Sequence, residues 1–287
     1  MTDKLINTKL LSSEKNTSVI EVSVPVEIVA THRQHSLTHL AEGVTIKGFR
    51  KGKAPLSLIE KNLDPQKITD HTLNHVLGEV VSACLKNHQL DPIGYPKVKI
   101  NSVVTDKPWT FEIRFPIRPQ IKLGEYKKLI KDTLTDTGLW TPGKDKTKPT
   151  EPSIDEKLSK VLDLLAKHYQ FDVPQELIEE EVNHSLSRLL EQTQTLGISL
   201  EEYLKSLGKT GDQLKDGYQK SATEGLKLEL ILEEIAKDLN TSVTSTEIDD
   251  MANASGKLEA HTLTDSQKNE IRAILRRRKT IDALLSL

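Results

Sequence analysis

Six short polar boxes cut the rear half of the chain into segments that can only be helices. They are Ser153-Ile154-Asp155-Glu156, Asp172-Val173-Pro174-Gln175, Ser199-Leu200-Glu201-Glu202, Thr210-Gly211-Asp212-Gln213, Thr244-Ser245-Thr246-Glu247 and Thr264-Asp265-Ser266-Gln267. In such a box the first side-chain oxygen and the fourth residue's carboxyl or amide satisfy backbone N–H groups that a helix start leaves unpaired. Each box is followed by apolar residues three and four apart, as in Leu177, Ile178, Val182, Leu186, Leu189 and Leu190, or Leu226, Leu230, Ile231, Ile235 and Leu239. Gly197 and Gly208 fall where helices should stop. Six or so helices in hairpins are predicted. With aromatics at 4%, their cores must rest on Leu, Ile and Val, and an elongated set of helical arms is expected rather than one tight bundle.

The front half has a different rhythm. Residues 1–18 are polar and are expected to fray. Ile20, Val22, Val24, Val26 and Ile28 then alternate with polar residues, the period of a half-buried strand. Val29, Leu37, Leu40, Ala41 and Val44 mark a helix, Leu56–Leu63 a shorter one, and a long helix starts at Asp64-Pro65 with Ile68, Leu73, Val76, Leu77, Val80, Val81 and Cys84 as its apolar stripe. Two strands follow. Val98, Ile100 and Val104 line one; Trp109, Phe111, Ile113, Phe115 and Ile117 alternate along the other. The front is therefore read as α+β, a small antiparallel sheet with helices on one face, followed by an all-α C-terminal domain.

Between them, residues 131–153 carry Gly138, Pro142, Gly143, Pro149 and Pro152 among Thr and Lys, with Trp140 the lone aromatic. This is linker composition. The expected domains are 1–130, the join 131–153, and 154–287. Charge divides along the same line. Residues 1–130 hold 19 Lys and Arg against 13 Asp and Glu, a net +6, while residues 131–287 hold 21 against 29, a net −8. Only the basic front suits contact with nucleic acid. A single cysteine, Cys84, excludes an internal disulfide and fits a reducing compartment. No secretory signal and no apolar run of about 20 residues is read, so the expectation is a cytoplasmic protein without membrane contact.

Catalytic constellations are not found, and no cofactor is expected. Gly208-Lys209-Thr210 fails as a phosphate loop because Tyr203 stands where the motif's first glycine belongs. His35/His39 and His71/His75 are pairs four apart that could clasp a metal, and His32 could join the first. They lack the carboxylate of a His-Glu-x-x-His site, and no metal is predicted. Glu179-Glu180-Glu181 reads as a solvated face at a helix start. Arg276-Arg277-Arg278-Lys279 should face water or pair with nearby acids, and Cys84 should be core.

One stretch stands apart. In Lys47, Gly48, Phe49, Arg50, Lys51, Gly52 and Lys53, two glycines bracket an aromatic ring and cations crowd around it. Lying between helices, it reads as a projecting loop able to dock on a surface partly anionic and partly apolar. Gly48-Phe49-Arg50-Lys51-Gly52-Lys53-Ala54-Pro55 resembles the GFRxGKxP signature at the ribosome-docking tip of trigger factor, the bacterial nascent-chain chaperone. Val22–Glu27, Leu90–Pro96, Phe111–Pro119 and Gly197–Leu204 fit other parts of that family. The resemblance implies an ATP-independent chaperone. Its partners would be the large ribosomal subunit, through an exit-tunnel protein and rRNA, and unfolded or nascent polypeptides, with weak homodimerisation left open. Family members usually carry a prolyl-isomerase domain between the two halves. Here the join is too short to hold one, so no enzymatic activity is expected. Two rivals remain: an RNA-binding ribosome-assembly factor and a SurA-like holdase.

Overall fold

The computed structural model describes residues 6–43, 49, 55–104, 106–135, 153–255 and 263–287. The chain divides into two compact units: residues 1–118 with 174–177, and residues 119–173 with 178–287.

The first unit is built on a four-stranded antiparallel sheet in the order β1-β2-β4-β3. Its strands are β1 (Asn7–Glu14), β2 (Thr17–Val24), β3 (Lys97–Ser102) and β4 (Trp109–Pro116). The residues expected to fray therefore include an edge strand. β1 pairs with β2 through the two-residue turn Lys15-Asn16, both at positive φ (48° and 58°), the left-handed geometry of a tight hairpin. In the centre, Ile20 faces Ile113, Val22 faces Phe111 and Val24 faces Trp109, and all six are buried. Cross-strand pairs of this kind are the unit of sheet stability.

The period-two reading of β2 ran too far. Pro25 ends the strand, and its carbonyl accepts the N–H groups of Ile28 and Val29, so Val26 and Ile28 belong to helix α1 (Val26–Ala41). Edge strand β3 also differs from expectation. Ile100 and Val104 are exposed at 45% and 50%, because a register shift after Ile100 turns the edge and Val104 lies beyond the strand. Helix α2 covers Leu56–Asn62. Helix α3 covers Pro65–His88, capped by Asp64 accepting from the Gln66 N–H at 3.0 Å. The buried stripe of α3, with Val76, Val80, Ala83 and Cys84, packs with the sheet's inward residues in a single core.

The second unit contains α4 (Tyr126–Thr135), α5 (Ile154–His168), α6 (Gln175–Thr195) from Ile178 onward, α7 (Leu200–Leu207), α8 (Gly211–Asp238), α9 (Ser245–Ser255) and α10 (Asp265–Leu285). Lys131 to Thr135, read from sequence as the start of a linker, are the last turns of α4. Trp140 and the rest of 136–152 lie outside the described residues. The largest core of this unit joins Tyr126 and Ile130 to Val161, Leu165 and Tyr169, to Ile231, Leu232 and Ile235, and to Leu284. Its two tyrosines keep their hydroxyls satisfied: Tyr126 donates to Asp238 Oδ2 at 2.6 Å and Tyr169 to the Leu123 carbonyl at 2.6 Å. A smaller cluster of Val173, Ile178, Val182 and Ala222 ties α6 to α8.

Five of the six polar boxes form the exchange that their chemistry requires. Ser153, Ser199, Thr210 and Thr264 each cap a helix reciprocally with Glu156, Glu202, Gln213 and Gln267. Gly197 and Gly208 sit at φ 69° and 62° beyond the helix ends. Thr244 and Glu247 form the same exchange at α9, where Glu247 also takes Lys279 Nζ at 2.6 Å. The lysine first, and the Thr244 N–H next, lower the Glu247 pKa to about 2. A carboxylate depressed from an unfolded value near ~4.3 adds stability above that pH and loses it as pH falls toward the folded value. Glu247→Gln is therefore expected to lower the thermal midpoint at pH 7, with the gap to wild type narrowing steadily below pH ~4.3. Melting curves at a series of pH values check this, and a pH-independent gap would contradict it.

Candidate functional site

In the sequence, the basic segment Lys47–Lys53 falls between two anchored helix ends, those of α1 and α2. α1 closes with backbone turns from Glu42 and Gly43 back to His39 and Leu40, and α2 opens on the carbonyl of Pro55. Arg33 of α1 donates to Glu60 of α2 at 2.8 Å, and Leu37, Ala41 and Ile59 are buried beneath. Phe49 is described and is exposed at 42%. Lys47, Gly48, Arg50, Lys51, Gly52 and Lys53 lie outside the described residues.

A second candidate surface was invisible to sequence reasoning. α7 has no buried residue, and around it Leu190, Leu196, Ile198, Leu200 and Leu207 are exposed, Leu196 at 72%. Leu200 and Leu207 are seven apart, so they share a helix face. A stripe with this spacing normally marks a core; here it is left open to solvent.

The structure gathers the histidines that the sequence set out as two separate pairs. His71 and His75 of α3 lie against His35 and His39 of α1, and His32 stacks on His75 at 6.5 Å between ring centres. Partial desolvation first, then the positive charge of His71, His35, His32 and His39, lower the His75 pKa. As placed, no group of three metal-ligand side chains among the described residues is arranged around one ion.

The remaining candidates are structural. Cys84 is fully buried, and desolvation pushes its thiol up to about 12, far from a nucleophile's range. Arg277 pairs with Glu229 and Lys279 with Glu247, while Arg278 is exposed. A groove of about 330 Å³ between α8 and α10 is lined by acids and bases together, Glu229 and Glu233 facing Arg272, Arg276 and Arg277. Glu179 and Glu180 are exposed at the start of α6, as expected of a solvated face. No helix among the described residues is long and apolar enough to cross a membrane.

Residues 6–161 match the family described as bacterial trigger factor protein, and residues 150–286 match the bacterial trigger factor C-terminus. The two matched regions overlap, leaving no residues between them. The trigger factor of Syntrophomonas wolfei is 32% identical over 117 residues, 41% of this chain and 27% of the relative. That of Staphylococcus epidermidis is 26% identical over 155 residues, 54% of this chain and 34% of the relative. The chain thus spans about a quarter to a third of the length of these curated relatives. A solved structure of the trigger factor chaperone, described for promiscuous substrate recognition in folding and assembly, superposes with a TM-score of 0.63 at 14% identity, covering 98% of this chain and 99% of the other. That likeness concerns the fold. The matched regions take in both units, and the chain belongs to the trigger factor family.

Proposed function

We propose that this protein is a cytoplasmic, ATP-independent chaperone that docks on the ribosome through Lys47–Lys53 and shelters unfolded or nascent chains on its helical unit. Two observations carry the reading: Phe49, which the sequence sets among Lys47, Arg50, Lys51 and Lys53, is exposed in the front unit, and helix α7 of the rear unit has no buried residue. The first offers what an RNA-and-protein surface binds: charge for phosphates and one ring for an apolar dent. The second offers what an unfolded segment binds: several small apolar patches, each weak, whose sum depends on multivalency.

The residues proposed to meet clients are Leu196, Ile198, Leu200 and Leu207. The proposed join between the two halves narrows to 136–153, since 131–135 close α4, and because the two family regions overlap, the protein is proposed to hold clients without isomerising prolines.

The test is suppression of aggregation of a chemically unfolded client whose refolding is proline-limited. Wild type is expected to suppress aggregation in proportion to its concentration and to leave the proline-limited rate unchanged. The variant Leu196→Ser, Ile198→Ser, Leu207→Ser should lose most of that protection. Because these positions are exposed, its own stability should shift by less than about 0.5 kcal/mol per site. Failure of wild type to protect, or a variant that protects equally, would overturn the client assignment; clear acceleration of refolding would overturn the claim of no isomerase activity.

A further inference from the structure

We propose that His35, His39, His71 and His75 form a site for one divalent transition-metal ion of the zinc, nickel or copper class, bridging α1 and α3. Each helix contributes a pair four residues apart, and such pairs lie side by side on one helix face. The pairs face each other in antiparallel order, since His39 meets His71 and His35 meets His75. Ring centres are 4.9 Å apart for His71 and His75, and 5.3 Å apart for both His35–His75 and His39–His71. Two imidazoles on one tetrahedral ion, with metal–nitrogen bonds of about 2.0–2.1 Å, place their ring centres about 5 Å apart. These three spacings are near that value.

Two further observations point the same way. The Nδ1 atom of His71 is buried without a hydrogen-bond partner, leaving a lone pair or an N–H in the cluster unused. His32, stacked on His75, bonds Glu79 at 2.5 Å, which adds one negative side chain next to the histidine cluster. The donor set of neutral imidazoles suits zinc, copper and nickel rather than magnesium or calcium. His35, His39 and His75 are exposed, so an ion has a path in. In their present rotamers no three ligands converge. Binding therefore requires turns of the exposed rings between staggered wells, movements a surface side chain makes readily. The bound ion would clamp α1, whose far end leads to the Lys47–Lys53 segment, onto the long helix behind it.

The experiment uses untagged full-length protein, stripped with chelator, titrated with Zn²⁺ alone and with Ni²⁺ alone against a chromophoric chelator. The two variants are His35→Ala with His39→Ala, and His75→Ala, all at exposed positions that spare the core. Wild type is expected to bind one ion per chain and to melt higher as ion concentration rises, by mass action. Each variant should lose more than the roughly 10–100-fold in affinity that removal of even an outer partner costs. Both variants should lose the ion-dependent rise in melting temperature while keeping the wild-type circular dichroism. No binding up to millimolar ion, or unchanged affinity in either variant, would overturn the bridging site.

Discussion

Phe111→Ala is expected to cost the front unit about 3–5 kcal/mol, the range for removing a buried aromatic ring from a core. Phe111 is fully buried in β4, pairs with Val22 across the sheet and with Ile100 on the other side, and packs in the cluster that includes the α3 stripe. Its neighbours Ile20, Ile113 and Val80 are themselves fully buried, so they have little freedom to collapse into the space left behind. Domains of this size are stable by only about 5–15 kcal/mol, so the loss is a large share of the total. With a urea dependence of about 1–3 kcal/mol per molar, the front unit's midpoint should fall by roughly 1–5 M. Ile100→Ala, one strand over but exposed, should stay within about 0.5 kcal/mol of wild type. Denaturation followed by the fluorescence of Trp109, buried in the same sheet, checks both variants. Equal losses at the two positions would contradict the assignment of a one-faced sheet core.

What could be read from the sequence was whatever local chemistry decides alone. A Ser or Thr with Glu or Gln three residues on closes its own backbone bonds, so the starts of α5, α7, α8, α9 and α10 were legible residue by residue. The β4 alternation was legible because every second residue is large and apolar. β1 was not, because Asn7–Glu14 is an edge strand with no fully buried side chain, and its support comes from pairing with β2 rather than from its own pattern. Pro25 carried the missing strand end: Val26 and Ile28 keep the alternation going while the backbone has already turned into a helix. Two parts of the candidate sites were beyond sequence in principle. The histidine cluster exists only because α1 and α3 run antiparallel at one register. The openness of α7 is tertiary information, since Leu200 and Leu207 have the spacing of a core stripe. The basic segment is the reverse case: its composition was legible at once, and the structure adds the anchored helix ends and the exposure of Phe49.

The docking claim predicts the largest functional effect. Phe49 is proposed to bury its ring on the ribosome, which contributes about 1.5–3 kcal/mol. Arg50 and Lys51 are proposed to neutralise phosphates or acidic side chains, contacts that fade steeply with salt. An encounter with a dissociation constant near ~1 µM amounts to about −8 kcal/mol, and each 1.4 kcal/mol is tenfold. Loss of the ring alone therefore weakens binding about 10–100-fold, and loss of two cations weakens it further. Phe49 is exposed and stands outside the front-unit core, so the variant is expected to fold and hold clients as wild type does. The decisive measurement is co-sedimentation of Phe49→Ala, Arg50→Ala, Lys51→Ala with ribosomes at moderate salt and micromolar concentration, beside client protection by the same preparation. The account predicts that wild type pellets, that the variant stays in the supernatant, and that both suppress client aggregation; a variant that pellets undiminished would contradict it.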